Sequence, residues 1–230
     1  MIPVLAIPVI NRPDLLERCL ASIDVVPEQV HIIDNSPDGL DFAAPDRLAD
    51  VLHHDAPPAN LGFGGSVNHA IVTHPAAPWW AIANADVEFA PGDLTRLAAE
   101  MDGARWVGIV DWRVFGLTRE AVRLAGLWDA NLHPAYDDDC DYERRCDLAG
   151  VTRYFIHGGT SHVGSAAIHS DPRYARANAR SHAANRRYYI DKWGGHPRGG
   201  EVHETPFGRG GSVADWMLDI DRLRDNAWDG

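Results

Sequence analysis

Short apolar runs rich in β-branched residues alternate with segments of helical periodicity along this chain, and few folds accept that alternation. The opening run VLAIPVI stops at Asn11-Arg12-Pro13, after which Leu15, Leu16, Cys19, Leu20 and Ile23 recur at helical spacing. VHIIDNSPDG predicts a second buried strand that ends at Asp34-Asn35 and a Ser-Pro-Asp-Gly turn. NLGFGGSVNHAIVTH predicts a glycine-rich turn running into a helix, and WWAIANADVEF a third strand. The expectation is an α/β fold with a mixed, mostly parallel sheet and helices on both faces. Such sheets collect ligands at the carboxyl ends of their strands.

Beyond Pro91 the pattern predicts a helix (GDLTRLAAEMDG), a single strand (RWVGIVDWRVFGL), a helix (TREAVRLAG), an acidic stretch leading into another helix (YDDDCDYERR) and a strand (VTRYFIHGG). Residues 173 to 192 carry six basic side chains against Asp191, with Arg173, Arg176, Arg180 and Arg187 close to one stripe. A last helix is expected in SVADWMLDIDRLRD, where Trp216, Met217 and Leu218 form an apolar patch. No repeat or low-complexity linker divides the 230 residues, so one main domain is expected.

Composition narrows the function. With 45% hydrophobic and 23% charged residues the chain is globular in character. No run approaches the ~18 apolar residues of a membrane span, and the first residues lack a basic n-region, so a cytoplasmic protein is expected. A formal charge of −12 disfavours tight duplex binding. Cys19, Cys140 and Cys146 are too few for a disulfide framework and read as packing thiols.

Four groups of residues can carry chemistry. The Gly62-Phe63-Gly64-Gly65 turn before a helix offers backbone amides to a phosphate, or is a tight turn with no ligand. Asn84-Ala85-Asp86 closes the WWAIA run; two residues apart on a strand, Asn84 and Asp86 would share a face and hold a ribose or a divalent ion, or else form an Asx turn. Asp137, Asp138, Asp139 and Asp141 are either a solvated helix N-terminus or a cleft in which one carboxylate serves as general base. His162 is a metal ligand or one more surface histidine among twelve. Trp79, Trp80, Trp112, Trp128 and Trp193 offer faces for sugar stacking or fill the core. The arginine stripe meets an anionic partner or balances an acidic body.

Taken in order, IPVINRPDLLERCLASI, VHIIDNSPDG, NLGFGGSVNHAI, IANADVEF, FGLTREAVRLAGLWDANL, YDDDCDYERRCDLAG, HVGS and YYIDKWGG resemble an inverting family 2 glycosyltransferase of the GT-A fold, nearest in appearance to its rhamnosyl- and galactofuranosyl-transferase-like branch. The resemblance implies a single catalytic domain over residues 1–195, with a nucleotide-sugar half (1–100) and an acceptor and base half (101–195), followed by a C-terminal tail (196–230). By position it implies that Pro8, Asp34, Asn35, Asn60, Gly62, Asn68, Asn84, Asp86 and Trp193 border the nucleotide sugar. It makes Asp139 the catalytic base with Asp138 its neighbour or an acceptor-binding group, and Asp86 with His162 the ligands of Mn2+ or Mg2+. Asn84 stands where the family's DxD motif has its first Asp, which lowers the negative charge offered to the ion. The donor implied is a UDP- or dTDP-sugar, and the acceptor a hydroxyl of a glycan, a lipid-linked molecule or a protein. A catalytically idle module that binds nucleotide sugar or glycan, and a transferase acting on DNA or a phage or host protein, remain the alternatives. A nucleotidyltransferase would bring a glycine-rich basic opening that IPVINRP lacks.

Overall fold

Strand β1 (Leu5–Val9) occupies the middle of the sheet because both its faces are apolar: Leu5, Ile7 and Val9 enter one hydrophobic cluster, while Ala6 enters the other with Val4. In this computed structural model, which describes residues 1–103, 105–162 and 172–211 without the side chains of 172–175 and 177, the elements follow in a regular alternation. After β1 come α1 (Pro13–Ser22), β2 (Val30–Asp34), β3 (Leu52–Asp55), α2 (Gly62–Thr73), β4 (Trp79–Ala83), β5 (Val87–Glu88) and α3 (Asp93–Ala99). Then come β6 (Arg105–Val110), β7 (Val114–Thr118), α4 (Arg119–Ala125), α5 (Asp138–Leu148), β8 (Thr152–Phe155), β9 (Ser161–His162) and α6 (Pro172–Trp193). The expected last helix, with Trp216, Met217 and Leu218, and the Val163-Gly164-Ser165 part of HVGS lie outside the described residues.

The main sheet has the order β3-β2-β1-β4-β7-β6-β8, and only β7 runs against the rest. Helices α1 and α3 cover one face through Leu16, Cys19, Leu20, Leu94 and Leu97. Helices α2, α4 and α5 cover the other through Val67, Ile71, Val122, Tyr142 and Cys146. Helix α1 starts where Pro13 pre-sets φ and places no donor, and it buries the apolar positions expected from its spacing. Helix α4 starts at Thr118, whose hydroxyl accepts from the Ala121 amide at 3.2 Å. Strand order reverses about β1, since β2 lies on one side and β4 on the other, and a crevice opens there at the carboxyl ends of the strands.

Three details depart from the sequence reading. WWAIANADVEF is not one strand: β4 ends at Ala83, the Asn84 amide donates to Arg113 O at 2.8 Å, and Asn84-Ala85-Asp86 turns the chain so that β5 joins β9 in a separate ribbon. RWVGIVDWRVFGL is likewise a hairpin of β6 and β7, turned by a short 3-10 segment at Asp111–Arg113 in which Asp111 takes φ 46°. Apolarity alone does not mark that turn, because Trp112 sits inside it. Strand β3, absent from the expectation, is a half-exposed edge strand whose residues Leu52-His53-His54-Asp55 carry no apolar signature.

Helices α5 and α6 are held by a buried charge cluster. Asp141 accepts from Arg145 Nε at 2.9 Å and from the Trp193 indole at 2.8 Å, and it pairs with Lys192 Nζ at 2.6 Å. Arg145, itself fully buried, also donates to the carbonyls of Ala125 and Leu127. Residues 196–208, read from sequence as tail, are bound to this body: the amides of Val202 and His203 donate to Trp193 O, and Arg144 donates to His203 O. Asp141→Asn removes the charge shared by two buried cations and is expected to cost about 3–5 kcal/mol of stability, read from urea unfolding; a loss below ~1 kcal/mol would show that the cluster is not central.

Candidate active site

The crevice at the crossover is a cleft of about 1090 Å³, large enough for a nucleotide and an attached sugar. Pro8 and Val9 reach it from the end of β1, Asn35 from the end of β2, and Asn84, Ala85 and Asp86 from the turn after β4. Asp138 and Asp139 enter from the first turn of α5, and His162 from β9. Nine of the twelve site residues implied by the family resemblance therefore line one cavity: Pro8, Asn35, Asn60, Gly62, Asn84, Asp86, Asp138, Asp139 and His162.

Asp34, Asn68 and Trp193 do not line it. Asp34 is buried and spends one oxygen on the Ser36 amide at 2.8 Å, while the other lies 3.4 Å from His54 Nε2. Asn68 clamps the backbone of Trp128 with both ends of its amide, at 2.7 and 2.9 Å. Trp193 is fully buried against Asp141. Among the described tryptophans, Trp79, Trp80 and Trp128 are core residues as well, and Trp112, in the β6–β7 turn, is the one that lines the cleft.

The glycine-rich start of α2 has three of its first amides already engaged. The Leu61 amide donates to Asn35 Oδ1, the Gly62 amide to Asn60 Oδ1 and the Phe63 amide to Pro134 O, all at 2.7–2.8 Å. These donors are already satisfied within the protein. Gly62 is required for a different reason: it sits at φ +69°, and a Cβ there would lie 2.5 Å from Pro134 O. Asn35 and Asn60 thus shape the cleft by fixing α2 as well as by lining it.

The acidic block is not a solvated helix end. Asp137 is 3% exposed and is gripped by Arg186 from α6 at 2.7–3.0 Å. Asp141 belongs to the buried cluster already described. Asp138 and Asp139 remain for the cleft. Asp138 is 4% exposed, and its Oδ2 is buried with no hydrogen-bond partner. Burial, reinforced by the charge of Asp139, pushes its carboxyl up to about 8. Burial also raises Asp139, against a backbone hydrogen bond and the positive charge of Arg198, which lower it. A carboxylate kept above its ordinary range is a better proton acceptor near neutral pH.

Asp86 and His162 are brought together by the β5–β9 ribbon, in which Val87 pairs with His162. His162 Nε2 lies 3.0 Å from Asp86 Oδ1, yet the nitrogen is buried and makes no hydrogen bond. Burial lowers the pKa of His162 against the pull of Asp86, which favours the neutral imidazole that a metal requires. An orphaned imidazole nitrogen beside a carboxylate oxygen fits a divalent cation, and substrate phosphate oxygens would complete such a shell. Thr160 holds the ribbon in place, its amide and hydroxyl both donating to buried Asp93.

Residues 4–126 match the family model described as Glycosyl transferase family 2. The chain belongs to glycosyl transferase family 2. Among solved structures, this family 2 chain is similar to GalNAc-T7 in a crystal structure with UDP, GalNAc and Mn2+, at 12% identity and a TM-score of 0.53 over 82% of this chain and 50% of that one. It is similar to S. aureus TarS 1-349 at 12% identity and a TM-score of 0.51, over 83% of this chain and 70% of that one. The chain thus spans half the length of the GalNAc-T7 chain. No curated protein matches. At these identities the likeness is one of fold, and that fold is GT-A: a Rossmann-like, mostly parallel sheet with helices on both faces. No helix among the described residues is long and apolar enough to cross a membrane.

Sequence reasoning passed over several residues that line the family 2 cleft, among them Arg113, His133, Tyr136, Asn178 and Arg198. All but Asn178 lie in loops or after the last described long helix, where no periodicity marks them. In the basic helix, Arg186 and Lys192 are engaged by Asp137 and Asp129, whereas Arg176, Arg180 and Arg187 are exposed; the side chain of Arg173 lies outside the described residues.

A raised carboxyl makes folding stability depend on pH. Asp138 contributes its full share below the ordinary value near 3.8, and that share is lost as pH rises through about 8, because the unfolded chain ionises first. Asp138→Asn is therefore expected to gain stability relative to the parent between about pH 4 and pH 8, by up to about 1.4 kcal/mol per pH unit, and to hold a constant difference above that range. Denaturation of both proteins across pH 5–9 checks this, and parallel curves would contradict it.

Proposed function

We propose that this family 2 domain transfers a sugar from a nucleoside-diphosphate sugar to an acceptor hydroxyl, with inversion at the anomeric carbon. The observation that carries the reading is one cleft in which an orphaned His162 nitrogen beside Asp86 and two acids raised by burial, buried Asp138 and half-buried Asp139, face the same space. Asp139 takes the proton of the attacking hydroxyl, and Asp138, mostly protonated at neutral pH, donates a hydrogen bond to acceptor or sugar. Asp86 and His162 hold Mn2+ or Mg2+. When bound, that ion stabilises the charge that develops on the leaving diphosphate. Arg113, at the β6–β7 turn, adds positive charge at the same end of the cleft, and Trp112 offers an apolar face to base or sugar. Single displacement from the face opposite the leaving group needs no enzyme nucleophile, and inversion follows.

UDP is the preferred nucleotide, with dTDP second; the GalNAc-T7 structure, which contains UDP and Mn2+, supports this order. A rhamnosyl- or galactofuranosyl-transferase-like donor is the finer proposal, supported by the IPVINRPDLLERCL and YDDDCDYERRCDLAG segments. The acceptor is a hydroxyl of a glycan, lipid-linked molecule or protein.

Calorimetric binding of UDP, dTDP, GDP and CDP, each with manganese, magnesium or chelator, tests the donor site. Metal-strengthened binding of a nucleotide is expected, and absence of binding across the panel would overturn the reading. Asp86→Ala should remove the metal dependence of that binding; affinity that keeps its manganese dependence would eliminate the Asp86–His162 site. Asp139→Asn should lower turnover of sugar nucleotide by about 10²–10⁴-fold while nucleotide affinity changes less than about twofold. Unchanged turnover would remove Asp139 from the mechanism.

A further inference from the structure

Away from the cleft, four imidazoles and a carboxylate gather on the α2 face of the sheet edge. His31 on β2 is in register with His53 on β3, and Asp55 lies two residues further along the same strand, so the three side chains share a face. Their ligand atoms all lie within 4.8 Å of one another. His69 and His74 come down on them from α2: His69 Nε2 is 2.5 Å from Asp55 Oδ2, and His74 Nε2 is 3.2 Å from His31 Nδ1. The rings of His53, His69 and His74 all lie with centroids 5.1–5.6 Å from that of His31. None of these five residues lines the cleft.

His31 is the decisive member. It is fully buried, and its Nε2 has no hydrogen-bond partner although Asp55 Oδ2 lies 3.8 Å away. In the tautomer that carries its proton on Nδ1 and gives it to His74, the Nε2 lone pair of His31 faces the Asp55 carboxylate oxygen. Two electron-rich atoms aimed at one another across that gap repel, and a cation between them converts the repulsion into coordination. In that tautomer the His74 contact is the outer-shell hydrogen bond that orients a ligating imidazole. Burial and the neighbouring imidazoles of His74, His69 and His53 hold His31 down at about 4, so its ring is neutral near pH 7.

We infer that His31, His53, Asp55 and His69 form a second metal site, distinct from the donor cleft, that takes a borderline divalent ion of the zinc type. Three nitrogens and one oxygen suit tetrahedral zinc and are poor ligands for magnesium or manganese, which favour oxygen. Zinc–nitrogen bonds of about 2.0–2.1 Å need the ligand atoms slightly closer than they stand, and half-exposed His69 and exposed His53 are free to close that distance. Bound there, the ion ties edge strand β3 to β2 and to α2, whose first residues line the cleft. The inference does not rest on the proposed glycosyl transfer.

The test uses the full chain carrying Asp86→Ala and His162→Ala, which deletes the other candidate site. The protein is stripped with chelator, dialysed, and titrated with zinc chloride against a chromophoric chelator, with cobalt(II) as a spectroscopic substitute. One zinc per chain, a rise in melting temperature and the intense visible bands of tetrahedral cobalt are expected. Adding His53→Ala and His69→Ala, two substitutions outside the core, should weaken zinc at least ~10–100-fold and abolish both the bands and the thermal shift, with the circular dichroism spectrum unchanged. Retention of the zinc equivalent in that variant, or failure of the parent to take up zinc, would overturn the inference.

Discussion

Asp141 is the residue on which the arrangement of the active-site acids depends. Its carboxylate lies in the core between Arg145 on its own helix and Lys192 and Trp193 on α6, and Arg145 in turn binds the carbonyls that end α4 and begin the next loop. Charges placed this deep are costly to desolvate and tolerable only when every partner is in position. The cluster therefore fixes where the first turn of α5 lies, and Asp137 repeats the tie one turn earlier through Arg186. Two of four neighbouring acids are consumed in this way. The other two are left pointing into the cleft, inadequately solvated and raised above the ordinary carboxylate range.

The opposite wall of the cleft is built by a different device. The carboxyl ends of parallel strands release the chain there, and each departing loop is pinned by a short polar residue: Asp34 by the Ser36 amide, Asn35 by α2, Asn84 by the β6–β7 turn. The family 2 cleft thus places its polar atoms through backbone hydrogen bonds on one side and through buried ion pairs on the other. The Asp86–His162 pair belongs to neither group, since it exists because a two-residue ribbon crosses from β9 to β5 and is anchored by Asp93. The same helix α2 that forms part of the cleft wall has its other end over the histidine cluster, so the two sites share one rigid element.

Much of this was legible in the chain alone. Alternating apolar runs and helical periods specify strand, helix and layer order, because burial on both faces of a parallel sheet demands them, and the ends of VLAIPVI, VHIID and WWAIA mark where a crevice must open. Asn35, Asn84, Asp86, Asp138, Asp139 and His162 could be named from spacing and family resemblance, since their positions follow strand and helix ends that the pattern predicts.

What only the tertiary structure decided is which polar group meets which. Asp138 and Asp141 are the same residue type three positions apart, yet one faces a cavity and the other two cations, a difference created by α6 and Arg145 and invisible locally. The start of α2 suggests a phosphate cradle, yet the amides of Leu61, Gly62 and Phe63 are spent on Asn35, Asn60 and Pro134. Trp193 looks like a sugar platform in sequence and is a core residue in space. The histidines at 31, 53, 69 and 74 carry no motif, because strand register and helix packing, rather than chain spacing, bring their rings together. Sequence patterns encode burial, which acts residue by residue, whereas pairing of charges and imidazoles depends on distances that exist only once the layers have packed.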